Sequence, residues 1–420
     1  RLSLALYDAH KDDDPRAAQM TVPIRIKTTP DGARAWIDSA TPEGRTPCVL
    51  EAPARKKVTV KISRPGYTRR AEPVETAGFR ELDLPLVRGY AWRVDLEGQV
   101  GGTLAPANDR AVAVCRDGRV CGLAADDGTR LWTRAPAAAD SVDALGDPAP
   151  PAVAQGVAVV GGRTGLLLGL DLTDGHEKWR QKGTGPIIHA PLPVEVDGVE
   201  RILVGRGTTL ALIDATTGKT DREVNLPSAP ASAPVAKGGR AFAVLVDGRA
   251  VLLDLGQGNI LWNVDAKVDP VGSPVLAPEL GFVLLASRAG AVVALALKDG
   301  TSVWRRTQDV GSLEIGLAVD ENRIYVANVK NRLLALDASD GRTLWEQVEA
   351  GAVAAPPRRF DASIYVPLRS GELVEQGPGD GKRRGSVQLE GIPAGTPVPC
   401  GNRLLMGAGF SVFGIERAED

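Results

Sequence analysis

The sequence predicts an all-β chain: an eight-bladed β-propeller closed by an N-terminal strand, preceded by a small β-sandwich. Three observations predict it. Glycine and proline are abundant, 48 and 30 of 420 residues, and long stretches with helical apolar spacing are missing. Apolar runs such as "GVAVVGG" and "GFVLLAS" have the length of strands and are too short to span a bilayer. A turn glycine recurs at positions 128, 175, 218, 258, 300, 341 and 381, at intervals of 47, 43, 40, 42, 41 and 40 residues. A period of that size built from short strands marks a radial array of sheets.

Residues 1–20 read as a linker or juxtamembrane segment. "LSLALYDAH" is expected to be the tail of a membrane-proximal helix, and the acidic run from Lys11 to Asp14 is a solvated linker rather than a cation site. Residues 21–88 form a separate β-sandwich. "IRIKTTPDGARAWID" alternates as a strand, turns at Pro30, Gly32 and Ala33, and resumes as a second strand ending at Asp38. "RTPCVLEAP", "KVTVKI" and "RPGYTRR" supply the rest.

Residues 89–420 carry the repeat. Each unit has a small, proline-bearing inner strand ("GSPVLAP"), a continuously apolar second strand ("FVLLAS") and an alternating third ("LLALD"). After a turn comes a fourth strand with tryptophan. Trp132, Trp179, Trp262, Trp304 and Trp345 each stand four residues beyond the turn glycine, and Arg222 and Gly385 take the other two places. The chain has seven tryptophans, so five in one register is a structural rule. On an outer strand the indole wedges against the neighbouring blade; burying it removes about 200 Å² from water, an upper bound of about 5 kcal/mol. Asp171, Asp214, Asp254 and Asp337 precede their glycines by four residues, where a carboxylate accepts turn amides. The last unit lacks its tryptophan strand, and Trp92 is left over at the opposite end. The strand around Trp92 therefore completes the eighth blade and removes an open edge.

The segment "ALDASDGRTLW" resembles the repeat of pyrroloquinoline-quinone (PQQ)-like propellers, Ala-x-Asp-x-x-x-Gly-x-x-x-Trp, from Tyr90 to about Arg417. The resemblance implies the propeller fold, and the same repeat builds quinone-dependent dehydrogenases, barrel-assembly scaffolds and sensor ectodomains. Residues 21–88 look like a PEGA domain, with Pro30, Gly32, Ala33, Asp38, Thr46, Pro47, Pro65, Gly66 and Tyr67 at matching positions; Asp38-Ser39 stands where the family has Asp-Gly.

A quinone-dependent dehydrogenase of this family would bring calcium, a catalytic Asp and a disulfide between adjacent cysteines. The four cysteines, Cys48, Cys115, Cys121 and Cys400, include no adjacent pair, and His10, His176 and His189 lie far apart. Around "VCRDGRVC", a three-residue turn sets Cys115 and Cys121 opposite each other and a two-residue turn sets them on opposite faces, so a disulfide and two buried thiols both stay open. Gly-x-Ser-x-Gly, phosphate-loop and HExxH signatures are missing, and "GPGDGKRRG" is a turn with no following helix. We assign no catalytic residue, metal ligand or cofactor. A net charge of −2 gives nucleic acid no global attraction.

One pattern suggests a site. The turn between second and third strands leads with a basic residue in six units: Arg116, Arg163, Arg206, Arg288, Lys330 and Arg369. All six are expected on one rim, where they would attract a carboxylate-, phosphate- or acid-rich partner; a solvated arginine at a turn is the competing reading. The expected function is non-catalytic and extracytoplasmic, in periplasm or at the cell surface: one propeller face binds a protein or cell-envelope polymer. Any membrane tether would lie outside the chain. The company PEGA modules keep suggests the ectodomain of a bacterial transmembrane Ser/Thr kinase. An envelope assembly scaffold and a PQQ-dependent dehydrogenase are the alternatives.

Overall fold

The computed structural model describes residues 20–29, 31–37, 40–64, 67, 69–86, 89–135, 137, 144–307 and 310–416. The readings at His10, at residues 11–14 and at Pro30, Asp38, Pro65 and Gly66 lie outside the described residues. Regular structure among the described residues is strand, apart from one 3-10 turn at Pro278–Leu280. Two compact units are formed, one by described residues up to 90 with 383–388, the other by 91–382 with 389–416.

In the first unit, Thr21–Thr29 is the middle of a three-stranded sheet, antiparallel to Cys48–Pro53 and parallel to Arg80–Pro85. Ala40–Arg45, Arg34–Ile37, Lys57–Ser63 and Arg70–Glu75 form, in that order, a four-stranded sheet. The two-residue side-chain period brings Ile24 and Ile26 of one sheet and Ala35, Ile37, Val60 and Ile62 of the other into a single core. Gly32 turns with φ +86°, and buried Thr46 accepts the Ala33 amide on its hydroxyl at 3.0 Å. The Arg64 guanidinium lies over the Tyr67 ring.

From residue 92 to 416 the described strands make eight four-stranded sheets. Sheets 1 to 7 are consecutive: residues 105–134, 152–182, 192–225, 235–265, 275–306, 318–348 and 358–388. Sheet 8 takes three strands from residues 398–416 and its fourth from Trp92–Asp95, which pairs antiparallel to Ser411–Glu416. First strands of successive sheets lie side by side from sheet 1 to sheet 7, and the first strand of sheet 8 lies beside that of sheet 1.

The third strand reads as alternating in the sequence. Instead, second and third strands are buried on both sides, as in Val157–Gly161 and Leu166–Asp171, because each face meets a neighbouring sheet. The fourth strand alternates, with Leu131 exposed and Trp132 buried.

The tryptophans lie between sheets. Each indole N–H donates to a carbonyl of the next sheet: Trp92 to Ala125 at 3.0 Å, Trp132 to Leu172 at 2.9 Å, Trp179 to Ala215 at 2.8 Å, Trp262 to Leu297 at 3.1 Å, Trp304 to Ala338 at 3.1 Å and Trp345 to Pro378 at 2.9 Å. Arg222 donates to Leu255 in the same place at 2.9 Å. Each ring lies on the turn glycine of that next sheet. Those glycines have φ between +67° and +76°, and a Cβ on Gly175 would stand 2.5 Å from the Trp132 ring. Only glycine satisfies both demands. On its other side the ring meets a small cross-strand partner: Gly122, Gly169 and Gly414 under Trp132, Trp179 and Trp92, Ala294 and Ala335 under Trp304 and Trp345.

The carboxylates four residues before those glycines accept turn amides. Asp171 takes Thr173 at 2.8 Å, Asp254 takes Gln257 at 2.8 Å, and Asp337 takes Ser339 at 2.9 Å. Asp214 accepts the amides and hydroxyls of Thr216 and Thr217, which bring its pKa down to about 2. All four cysteines are free. Cys121 pairs with Ala113 across the hairpin while Cys115 closes the turn two residues on, so the thiols are diagonal and no disulfide forms. Burial pushes the Cys115 thiol up to about 12.

Trp132→Ala is expected to cost about 3–5 kcal/mol in urea unfolding. Gly175→Ala disrupts the same contact from the other side, so the double variant should lose measurably less than the two losses added. Asp214→Asn should destabilise by about 1–2 kcal/mol at neutral pH. Because the folded pKa is depressed, that stability is present above the unfolded pKa of about 4 and lost toward pH 2; wild type and variant unfolding curves should converge there.

Candidate binding face

The turn between the second and third strands of a sheet is tied to the loop that enters that sheet. The amide of the leading turn residue donates to a loop carbonyl in all eight sheets: Arg116 to Gln99, Arg163 to Gly146, Gly207 to Pro186, Val246 to Ala229, Arg288 to Asp269, Val329 to Ser312, Arg369 to Ala352 and Gly409 to Ile392, at 2.8–3.2 Å. An isolated bridge beside most of these bonds, such as Pro148 to Gly162 and Leu313 to Asn328, holds the two segments in register. The loops of each sheet therefore form one stiff edge.

This hydrogen bond corrects the alignment of the six cations. Arg116, Arg163, Arg288 and Arg369 occupy the equivalent position. Arg206 comes one residue early and Lys330 one residue late, the places themselves being held by Gly207 and Val329. The early position turns Arg206 inward. Its stem passes over Gly183, its Nη2 donates to Gln181 at 2.6 Å, and burial lowers its pKa. Its buried Nε meets no acceptor.

The remaining cations are mostly matched. Arg163 Nε stands 2.8 Å from Asp147, Arg288 Nε 3.4 Å from Asp269 and Arg369 Nη2 3.3 Å from Glu314, each carboxylate coming from an entering loop. Both partners in each pair are more than half exposed, so the pairs add little stability, but they cancel charge locally. Exposed Arg116 borders a 240 Å³ recess that Arg134 and Asp117 also line. Among the described residues three of the six cations are thus ion-paired and Arg206 is turned inward, while exposed Arg116 and Lys330 make no ion pair.

The same edge carries apolar side chains that the search for charge passed over. Ile188, Val246, Val329, Ile392 and Phe410 are 42%, 60%, 49%, 64% and 59% exposed. Val246 and Val329 stand at the leading turn position that arginine fills elsewhere, which was a readable signal. Ile392 and Phe410 approach through the bond from Gly409 to Ile392.

A 530 Å³ cavity lies among the first strands of sheets 5 to 7 and the segments that enter sheets 8 and 1. Its charged side chains are Glu314, already paired with Arg369, and Arg358; its walls are mainly small and apolar, with Ile315 and Leu317 among them. Among the described residues no group of three or more His, Cys, Asp or Glu side chains is placed to hold a metal ion.

Residues 89–192, 189–279 and 246–398 match the family model described as outer membrane protein assembly factor BamB. The protein of that name from Escherichia coli K12 is 27% identical over 355 residues, which cover 78% of this chain and 88% of that protein. Among solved structures, BamB from Moraxella catarrhalis superposes with a TM-score of 0.63 at 19% identity, covering 79% of this chain and 98% of that one. A quinohemoprotein alcohol dehydrogenase from Comamonas testosteroni gives 0.61 at 14% identity, covering 79% and 77%, a likeness of fold.

Paired rim charges predict weak polyanion binding. The protein should elute from immobilised heparin below physiological ionic strength, about 0.15 M; retention well above it would restore the cationic ring.

Proposed function

The chain belongs to the family described as outer membrane protein assembly factor BamB, and from that premise we propose that it is a non-catalytic scaffold of outer-membrane protein assembly. Its eight sheets form an eight-bladed propeller closed by the Trp92 strand, and residues 21–88 form a PEGA-like module attached to it. The propeller works on the envelope side of the cytoplasmic membrane and binds protein through its stiff loop edge. No helix among the described residues is long and apolar enough to cross a membrane.

The observation that carries this reading is the composition of the loop edge. Exposed Ile188, Val246, Val329, Ile392 and Phe410 alternate with ion pairs on backbone held by eight equivalent hydrogen bonds. Exposed apolar side chains interspersed with paired charges suit a protein surface better than a polyanion, because apolar contacts supply affinity and paired charges set orientation. Rigid loops also lose little conformational freedom on binding. The kinase-ectodomain reading has only the resemblance of the N-terminal module behind it, whereas the family match spans most of the repeat region.

The test is co-purification with outer-membrane β-barrel assembly proteins from envelope extracts, comparing the wild type with an Ile392→Asp, Phe410→Asp double variant. The wild type should capture them and the variant should lose at least about tenfold, near 1.4 kcal/mol or more. Its thermal midpoint should stay unchanged, since both side chains are exposed. Failure of the wild type to capture any would reject the scaffold; equal capture by the variant would move the contact off this edge.

A further inference from the structure

The contact between sheets 4 and 5 departs from the rule that small residues lie beneath the indole. In sheet 4 one row of cross-strand partners runs Val235, Phe242, Leu252, Trp262. The position under the indole is glycine or alanine in sheets 1, 2, 5, 6 and 8 and leucine here. Trp262 is half-buried, as Trp304 is over its alanine, and takes Phe242 edge-on at 5.7 Å.

Beside this row lies a cavity of about 390 Å³, within the range of small-molecule sites. Val235, Phe242 and Leu252 of sheet 4 make one wall, and Leu276, Pro278 and Leu297 of sheet 5 make the other. The mouth is polar. Lys237 and Arg240 are themselves cross-strand partners, two residues beyond Val235 and Phe242, so they stand on the same face as the apolar row and at its outer end. The turn joining them is Gly238–Gly239, both with positive φ, and a side chain at Gly238 would meet nothing within 4 Å. The entrance is therefore uncovered.

The charges at the mouth are unequal in commitment. Lys237 is paired with Glu279 at 3.3 Å, and Asp254, the cross-strand partner of Arg240, holds the Gln257 amide at 2.8 Å. Among the described residues no ion pair or side-chain hydrogen bond engages the exposed Arg240 guanidinium, although it lines the cavity. A planar cation of this kind recognises a carboxylate or phosphate through two parallel hydrogen bonds.

We propose that this cavity binds a single-chain amphipath: an unbranched apolar chain between sheets 4 and 5, ending in a carboxylate or phosphate on Arg240. The site lies away from the loop edge, at the hairpin joining first and second strands, so it neither uses nor requires the scaffold reading.

Titration calorimetry of the whole chain with decanoate, decyl phosphate and decanol tests it. Decanoate or decyl phosphate should bind saturably at one per chain, and whichever binds tighter identifies the head group. Decanol should bind at least about tenfold more weakly, as should the tighter anion to Arg240→Glu. Leu276→Trp, which fills the cavity, should abolish binding. Arg240 is exposed, so its variant keeps the test decisive if the tryptophan variant does not fold. No saturable binding of either anion, decanol binding as tightly as the anions, or unchanged affinity in Arg240→Glu would overturn the proposal.

Discussion

The repeat region depends on one contact: an indole from the last strand of a sheet, laid on the turn glycine of the next and hydrogen-bonded to a carbonyl beside it. A four-stranded sheet buried on both faces cannot be stable alone, because its second and third strands are apolar throughout. It needs a neighbour on each side. The indole fastens that neighbour by area, by a directed hydrogen bond, and by a fit that no side chain at the glycine permits. Trp92 makes the same contact with Gly128, so the sheet assembled from the two distant ends of the region is fastened like the others.

Departures from the rule are local and have physical consequences. Arg222 replaces an indole and keeps the hydrogen bond with less apolar area. Leu252 replaces glycine or alanine beneath an indole and lines a cavity. In sheet 7 Gly385 stands at the tryptophan position. Buried Glu375 there faces Tyr365, as Ala335 faces Tyr325 in sheet 6, and accepts from Ser363 at 2.8 Å. In sheet 7 the interior turns polar beside the missing indole.

Function follows from what the scaffold leaves unpaired. The framework uses backbone hydrogen bonds and buried apolar rows, which leaves loop side chains free to vary. The eight equivalent bonds between turn and loop stiffen that variable edge without fixing its chemistry. Ion pairs and exposed Ile, Val and Phe side chains on it are the material of a protein contact, and the family to which the chain belongs is described by assembly work at the outer membrane.

Strand content, the repeat length, the places of the indoles and the carboxylates at the turns were legible in the sequence. Each rests on local chemistry: a glycine with positive φ, an Asp that captures turn amides, a period that keeps neighbouring units in register. The candidate site was less legible. Six basic residues looked equivalent because letters were aligned by charge, yet the backbone sets Arg206 one step before and Lys330 one step after the equivalent place, and loop carboxylates distant in sequence match three of the rest. Whether Cys115 and Cys121 met was likewise settled by hairpin register, which offsets them by two residues. Those questions turn on which atoms from remote segments arrive within a few ångströms of one another, and only the folded chain decides that.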